Sequence, residues 1–85
     1  MGYRVDYSTE SILQLDRLDK QLAKRIIIKI ESSANDPHLF FKRLTGRPEY
    51  KLRVGDYRVI VDINDSTKAI LVRTVGHRKN IYEKI

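Results

Sequence analysis

Three cationic side chains are predicted to lie together on one face of a β-hairpin. Residues 50–61 (YKLRVGDYRVIV) form two alternating segments around a Gly-Asp pair, which is the pattern of a two-residue hairpin turn. This turn sets Arg53 opposite Arg58, and Lys51 shares their face because side chains alternate along a strand. Like charges directly opposite each other destabilise a pair of strands. The pattern therefore favours a cluster that is kept to bind an anionic ligand.

The other face of the same hairpin is predicted to be apolar. Its side chains are Tyr50, Leu52, Val54, Tyr57, Val59 and Val61. An antiparallel sheet commonly packs one face on the core and leaves the other in solvent. We therefore expect the apolar face to meet helices and the cationic face to stay open.

A second segment, near the C-terminal end, can extend the cationic cluster. A strand is predicted over residues 68–75, ended by Gly76, and His77 and Arg78 follow it, with Tyr82 within one further turn. If this strand end adjoins the cationic face of the hairpin, the following groups converge: Lys51, Arg53, Arg58, Arg78 and Tyr82. His77 is a further candidate at the same strand end.

These residue types suit phosphoryl chemistry on RNA. The ribose 2′-hydroxyl is an internal nucleophile, so the protein has only to remove a proton, stabilise a dianionic phosphorane and protonate the leaving 5′-oxygen. Arginine pairs bidentately with phosphate oxygens and stabilises the developing charge. Lysine, tyrosine or histidine can transfer the protons. The residues alone leave open whether Lys51, Tyr82 or His77 is the base.

Composition argues against several other classes of function. The chain of 85 residues has no cysteine, and its two histidines, His38 and His77, have no carboxylate cluster at metal-binding spacing. It also lacks a glycine-rich phosphate loop, so no metal and no cofactor are expected. Residues 1–6 do not resemble a signal peptide, and the longest apolar run is too short to span a bilayer. We expect one domain over residues 1–85, cytoplasmic and without a membrane partner.

The net charge of +6 lies entirely in the second half of the chain. Residues 1–41 carry six basic and six acidic side chains, whereas residues 42–85 carry eleven basic and five acidic ones. Such asymmetry favours a polyanion as partner, and nucleic acid is the commonest polyanion. The alternative is that the basic residues serve only to keep the protein soluble.

The remaining segments predict an α+β fold. Residues 3–7 alternate as a strand does. Ser8 or Thr9 can cap a first helix and Asp19 a second one, and the two helices are joined by very few residues. The order is β-α-α-β-β-β: an N-terminal strand and a two-helix hairpin packed on a twisted antiparallel sheet, followed by a short C-terminal tail or helix.

Two further expectations concern the connecting regions. The basic residues of the second helix, Lys24, Arg25 and Lys29, are predicted to form a solvated face. Residues 35–49 are predicted as a loop, and its apolar side chains are expected to tuck under the sheet: Leu39, Phe40, Phe41 and Leu44.

Two motifs resemble the RelE toxins of the RelE/ParE superfamily. Residues 44–60 (LTGRPEYKLRVGDYRVI) are similar to the L-x-G-x-P-x-Y-K-L-R-x-G-x-Y-R-V core of that family. Residues 75–82 (VGHRKNIY) resemble its closing V-G-x-R…Y signature. The predicted element order also agrees, so the resemblance covers nearly the whole chain.

The resemblance implies the toxin of a type II toxin–antitoxin pair, which is a metal-independent, ribosome-dependent mRNA endonuclease that cuts the A-site codon. Lys51 and Arg53 match two basic family positions, the first a candidate proton acceptor. Arg58 matches the arginine that steadies the phosphate, and Arg78 matches one associated with charge stabilisation and the leaving group. Tyr82 matches the late tyrosine that stacks on the substrate base or aids proton transfer. The implied partners are mRNA and ribosomal RNA at the A site, and an acidic RelB-like antitoxin.

Some positions depart from the family pattern, and other functions remain open. Arg53 stands where some members have lysine, and His77 follows Gly76 as in histidine-bearing relatives, which leaves an imidazole base open. One alternative is a non-catalytic toxin of the same fold, like the ParE branch that inhibits DNA gyrase. The other is an RNA- or ribosome-binding module without cleavage.

Overall fold

A computed structural model of the chain describes residues 2–81, and Tyr82 therefore lies outside the described residues. The α+β class and the predicted order of elements are confirmed, with one short helix and one short strand added where a loop was expected. The elements within the described range are β1 (Arg4–Tyr7), α1 (Thr9–Arg17), α2 (Lys20–Ser33), α3 (Pro37–Phe40), β2 (Lys42–Arg43), β3 (Tyr50–Val54), β4 (Tyr57–Asn64) and β5 (Ala69–His77).

The five strands form one sheet in the order β1-β5-β4-β3-β2. Neighbours from β2 to β5 are antiparallel, as expected, and β1 adds a parallel edge strand beside β5, with Val5 aligned with Ile70. Parallel neighbours cannot be joined by a tight turn. Here α1, α2 and the other strands separate the two partners in sequence, so β1 reaches β5 only through the tertiary fold.

The hairpin of β3 and β4 has the predicted register. Arg53 lies opposite Arg58 and Val54 opposite Tyr57 across the turn. Gly55 has φ of 58°, a left-handed conformation that side chains with a Cβ rarely adopt. The turn therefore fixes the register, and the register places both arginines on one face.

Helices α1 and α2 cover the apolar face of the sheet. Their N-caps are confirmed: Ser8 accepts a hydrogen bond from the Ser11 amide, and Asp19 accepts from the amides of Gln21 and Leu22. The buried core between helices and sheet consists of Leu15, Ile26, Ile30, Ala34, Phe41, Leu52, Val54, Val59, Val61, Ile70, Val72 and Val75. All the predicted apolar hairpin positions thus face this core or pack against it.

A β-bulge interrupts the alternation of β5. Val61 pairs with Val72, whereas Ile60 pairs with Thr74, so Arg73 is an extra residue on β5. The Arg73 guanidinium binds Asp62 at 2.7 Å, and this bond raises the pKa of Arg73. The bulge reverses the faces of all later residues in the strand.

The last strand, β5, also ends two residues later than the sequence pattern predicted. The sequence pattern placed the end of the strand at Val75 with Gly76 as terminator, but β5 continues through Gly76 to His77. Because of the bulge Val75 points into the core, and Gly76 lies opposite Arg58 on the cationic face.

Helix α1 closes the edge of β5 beyond the end of β1. Ser8 Oγ donates to the carbonyl of Arg73 at 2.7 Å, and Gln14 Oε1 accepts from the amide of Val75 at 2.6 Å. Gln14 Nε2 also donates to the Thr74 hydroxyl at 2.8 Å. These bonds satisfy strand groups that would otherwise lack a partner, and they hold the end of β5 in place.

The segment between α2 and β3 differs in part from the prediction. Phe41 and Leu44 are buried as expected, but Leu39 and Phe40 are 59% and 42% exposed. The helix α3, which begins at Pro37, has only one turn, so it buries few of its side chains. The expectation that Leu39 and Phe40 lie under the sheet is therefore wrong.

His38 lies at the other end of the sheet from the hairpin turn. Its Nε2 is 2.7 Å from Asp65 Oδ1, and the same oxygen accepts the Tyr3 hydroxyl at 2.8 Å. The hydrogen bonds from His38 and from Tyr3 lower the pKa of Asp65. This cluster links α3, the β4–β5 turn and the N-terminal strand, which is a structural role.

Replacement of Gln14 by alanine is expected to lower the free energy of unfolding by about 1–3 kcal/mol, because the Val75 amide loses its acceptor. Denaturant unfolding followed by circular dichroism measures the change. Gln21→Ala is the control, since Gln21 is exposed and its side chain makes no hydrogen bond within residues 2–81. A change of only about 0.5 kcal/mol is expected there. Equal stability of the two variants would contradict the role of Gln14.

Candidate functional site

Four predicted site residues lie around the hairpin of β3 and β4. Lys51 and Arg53 are on β3, and Arg58 is on β4. Arg78 follows β5, and its backbone amide donates to the carbonyl of Asp56 in the hairpin turn at 2.8 Å. The end of β5 thus adjoins the hairpin, because β4 and β5 pair as far as this turn. This adjacency is the condition that the sequence analysis set for Arg78 to join the cluster.

Arg58 is held in position by the backbone of its own turn. Its Nη1 donates to the carbonyls of Gly55 and Tyr57, both at 3.0 Å. Within the described part of the chain, Nε and Nη2 have no hydrogen-bond partner. A guanidinium has five N–H donors in a planar fork. Arg58 is therefore oriented in advance and keeps donors for an anion.

Arg53 and Lys51 lie beside Arg58 without a compensating carboxylate. Arg53 is exposed and Lys51 is half-buried. No ion pair among residues 2–81 includes either of them or Arg58. Across the β2–β3 pair, Lys51 faces another cation, Lys42. Because no carboxylate of residues 2–81 is paired with these three cations, the described site favours the binding of anions.

Arg78 is only loosely paired. Its Nε is 3.8 Å from Asp56 Oδ1, and both side chains are more than half exposed. An exposed pair of this kind contributes little to stability. An anionic ligand can therefore compete with Asp56 for Arg78.

His77 lies on the opposite face of the sheet from the arginines. It pairs with Tyr57, and the two rings meet edge to face with centroids 5.5 Å apart. Its Nδ1 accepts a hydrogen bond from the Lys79 amide at 3.2 Å. The structure does not bring His77 together with Arg53 and Arg58.

Gly76 allows the chain after β5 to fold over the cationic face. Ile81 is buried there with Leu44 and Ile60 in a second, smaller core. A Cβ at Gly76 would lie only 3.1 Å from Ile81 Cδ1, so the absence of a side chain permits this packing. The cationic face of the sheet is therefore open to solvent at Arg53, but Ile81 and Leu44 cover it at Ile60. The prediction that this whole face is open is wrong at Ile60.

Several cations near the site were not predicted to be there. Lys42 was assigned to a loop, but it belongs to β2 beside Lys51. Arg25 and Lys29 are exposed, as expected for a solvated face, yet both reach the hairpin side of the molecule. A Cβ at Gly55 would be 3.2 Å from Arg25 Nη2, and Lys29 Nζ is 5.4 Å from the ring centroid of Phe40. Their spacing of four residues on α2 was the available signal, because such residues share a helix face.

The cationic residues of the hairpin, together with Lys29 and Lys42, line a cleft of about 390 Å³ beside β3. Its lining residues are Lys29, Phe40, Lys42, Lys51, Leu52, Arg53 and Arg58. Several cations around one cleft focus the local potential and raise the local concentration of anions. The arrangement can bind a phosphodiester and stabilise additional negative charge on it.

Other kinds of site find less support in the described range. Residues 2–81 contain no group of three or more histidine or carboxylate side chains placed to bind a metal ion. Among the helices of the same range, none has the length and apolar character needed to cross a bilayer.

The chain is similar to known toxins over most of its length. Residues 5–82 match the family described as the ParE toxin of type II toxin–antitoxin systems, parDE. Toxin RelE3 of Methanocaldococcus jannaschii is 34% identical over 86 residues, which cover 94% of this chain and 96% of the relative.

Solved structures agree with this likeness. The archaeal RelE–RelB complex from Pyrococcus horikoshii matches with a TM-score of 0.76 at 28% identity, and the match covers 92% of this chain and 97% of that one. A mutant of the Escherichia coli toxin RelE in the free state has a TM-score of 0.81 at 20% identity, with 98% and 93% covered. The latter shares the fold alone. The chain therefore belongs to the RelE toxins of the RelE/ParE superfamily, a family of type II toxin–antitoxin systems.

Proposed function

We propose that this toxin is an endoribonuclease that cleaves mRNA in the A site of the ribosome. The observation that carries the proposal is the direct opposition of Arg53 and Arg58 with no carboxylate paired to either among the described residues. Such a pair lowers stability in the free protein, and a phosphate between the two guanidinium groups relieves the repulsion. The membership of the RelE family supports RNA as the source of that phosphate.

The reaction assigned to this site is transesterification by the ribose 2′-hydroxyl. The 2′-oxygen loses its proton and attacks the adjacent phosphorus, and the bond from phosphorus to the 5′-oxygen breaks. The leaving 5′-oxygen takes up a proton, so the products are a 2′,3′-cyclic phosphate and a 5′-hydroxyl. The proposal requires no nucleophile from the protein and no metal ion.

Each of the four predicted cations within residues 2–81 has a role in this proposal. Arg58, which its turn already orients, holds a non-bridging phosphate oxygen, and Arg53 stabilises the second negative charge of the phosphorane. Arg78 lies beside the hairpin turn and stabilises the leaving group. Lys51 is the proposed acceptor of the 2′-hydroxyl proton. Tyr82 retains the role in base stacking or proton transfer that the family resemblance implies.

The second candidate function is inhibition of DNA gyrase in the manner of the ParE branch. One observation favours it: the family model that matches residues 5–82 carries the ParE description. The cluster of Lys51, Arg53 and Arg58 favours the nuclease, because a toxin that only binds a protein has no need for opposed arginines.

We also propose that an acidic antitoxin binds the apolar groove between α1 and α2. The groove has a volume of about 610 Å³, and Ile12, Ile27 and Ile28 are exposed along it, with Leu13 nearby. Exposed apolar patches of this kind mark protein-binding surfaces, and an amphipathic helix is a common occupant of such grooves. Solved relatives from Pyrococcus horikoshii and Methanococcus jannaschii are complexes with RelB, and the net charge of +6 favours an acidic partner.

Arg58→Ala is expected to reduce mRNA cleavage by about 100- to 1000-fold, which is typical when a donor to a developing oxyanion is removed. Purified protein is added to translating ribosomes, and primer extension maps the cuts. Arg4→Ala serves as the control, since Arg4 lies on β1 at the far edge of the sheet. Intact message with the unaltered protein, together with inhibition of gyrase supercoiling, would establish the second candidate instead.

Arg53→Glu separates the stability of the hairpin from its function. We expect the free energy of unfolding to rise by about 0.2–1 kcal/mol, because an attractive pair replaces a repulsive one, while RNA cleavage falls. The gain should shrink in high salt. The matched control is Arg73→Glu, which places two carboxylates together at Asp62 and should destabilise the protein. A loss of stability in both variants would show that Arg53 is not under repulsion.

Ile28→Asp tests the antitoxin surface. Ile28 is 56% exposed, so the fold should tolerate the change, while a charge in the groove should weaken antitoxin binding by about tenfold or more. Calorimetric titration with a purified RelB-like antitoxin measures the affinity. Leu39→Asp, at an apolar residue outside the groove with 59% exposure, should leave the affinity unchanged. Unaltered binding by Ile28→Asp would place the antitoxin elsewhere.

A further inference from the structure

An exposed aromatic ring borders the cationic cleft. Phe40, the last residue of α3, is 42% exposed, and it lines the same cleft as Lys51, Arg53 and Arg58. Lys29 extends over its ring, with Nζ 5.4 Å from the centroid. The cleft therefore presents a flat π-surface beside a group of cations.

Stability does not account for the position of Phe40. The next residue, Phe41, has the same side chain and is only 2% exposed within the core. Full burial of a phenylalanine side chain stabilises a fold by about 1.5–3 kcal/mol, and much of this stabilisation is absent at Phe40 because its ring is partly exposed. A ligand that combines phosphates with aromatic faces gives this exposed ring a partner, and single-stranded nucleic acid is such a ligand.

The cleft crosses a strand edge that pairs with no other strand within residues 2–81. The pairing between β2 and β3 includes only Tyr50 and Lys51 on β3, so the following residues of β3, from Leu52 to Val54, have no strand neighbour on that side. Arg53 and Arg58 approach this edge from one face of the sheet, and Phe40 and Lys29 approach it from the helical side. A strand of RNA can therefore pass from the arginines across the edge to the ring without crossing another element of the described chain.

Further cations line this path on both sides of the ring. Lys42 lies opposite Lys51 and lines the cleft next to Phe40. Arg25, one turn before Lys29 on α2, reaches the hairpin turn at Gly55. Among residues 2–81, none of these cations takes part in an ion pair. They can follow the backbone phosphates while the ring receives a base.

We propose that Phe40, with Lys29 and Lys42, forms a base-stacking subsite for a nucleotide next to the phosphate held by Arg53 and Arg58. This inference rests on the proposed nuclease function, since that function supplies the RNA. The base stacks on the Phe40 ring, and Lys29 and Lys42 bind the phosphates on its two sides. Phe40 touches substrate but takes no part in proton transfer, so it positions the RNA and contributes to the preference for sequence around the cut.

A protein segment is the rival occupant of this edge, because an extended peptide can add a strand there. The lining of the cleft favours RNA over a peptide. Five cations and one aromatic ring make up most of its lining, while its one aliphatic side chain, Leu52, is 3% exposed and offers no pocket for an alternate side chain. The apolar groove between α1 and α2 suits a protein partner better.

The test uses a short single-stranded RNA with 2′-O-methyl riboses, which cannot undergo attack by a 2′-hydroxyl. One base is replaced by fluorescent 2-aminopurine at successive positions, and fluorescence anisotropy gives the affinity. Stacking on Phe40 should quench the fluorophore at one position. Phe40→Ala should abolish this quenching and weaken binding by about 5- to 150-fold, which corresponds to one stacked base. Phe40→Tyr should retain the quenching and the affinity. Leu39→Ala, at the more exposed neighbouring residue, should also leave the quenching and the affinity unchanged.

An abasic RNA completes the experiment. Removal of the base at the quenched position should weaken binding to the unaltered protein as much as Phe40→Ala does, and it should have no further effect on Phe40→Ala. Equal affinity of the unaltered protein and Phe40→Ala, with weak binding by Arg53→Glu, would overturn the subsite and leave the proposed nuclease intact. Absence of cleavage on ribosomes with normal quenching by Phe40 would overturn the nuclease instead. Loss of antitoxin binding but not RNA binding in Phe40→Ala would assign the edge to a protein and contradict the subsite.

Discussion

The register that places Arg53 opposite Arg58 is the constraint on which the cationic site depends. Arg53 and Arg58 are direct partners in the pairing of β3 with β4, so two cationic side chains leave the sheet at neighbouring positions on the same face. The turn at Gly55 fixes the register, and a slip of one strand by one residue would turn the apolar side chains of that strand to solvent and its arginine into the core. The hydrophobic core therefore keeps two like charges opposite each other, which is unfavourable for the hairpin itself.

The last strand supplies the second half of this arrangement. The bulge at Arg73 shifts Val75 into the core and places Gly76 opposite Arg58, which leaves room for Ile81 over the sheet. Bonds from α1 through Ser8 and Gln14 satisfy the strand edge at this bulge. A helix on the apolar side of the sheet thus determines how the chain returns to the cationic side and where Arg78 lies.

Local patterns were sufficient to predict the hairpin and the helix caps. The alternation around Gly55 and Asp56 encodes the register directly, since a two-residue turn leaves no freedom in the pairing, and Ser8 and Asp19 cap helices that begin immediately after them. The bulge was missed because it shows only as a spacing of three between Val72 and Val75, which depends on the packing of α1. Helix α3 and strand β2 are too short for a periodic pattern.

The cationic surface was predicted in its centre but not in its extent. Lys51, Arg53 and Arg58 come from one hairpin, so their proximity follows from the sequence. Lys29 and Phe40 reach the same cleft only through the docking of α2 and α3 near β3, and Lys42 reaches it through the pairing of β2 with β3. No local pattern encodes either arrangement. His77 was misplaced relative to the arginines for a related reason, because the bulge reverses the face on which it lies.

A double-mutant cycle with Arg53→Gln and Arg58→Gln tests the central claim most directly. Unfolding free energies are measured at low salt for the four proteins, with and without the 2′-O-methyl RNA. In the free protein we expect an unfavourable coupling energy of about 0.2–1 kcal/mol between Arg53 and Arg58. Either single substitution should then relieve the repulsion, and the second substitution should add little further stability. With RNA bound, the coupling should vanish or become favourable. A zero or favourable coupling in the free protein would contradict the account.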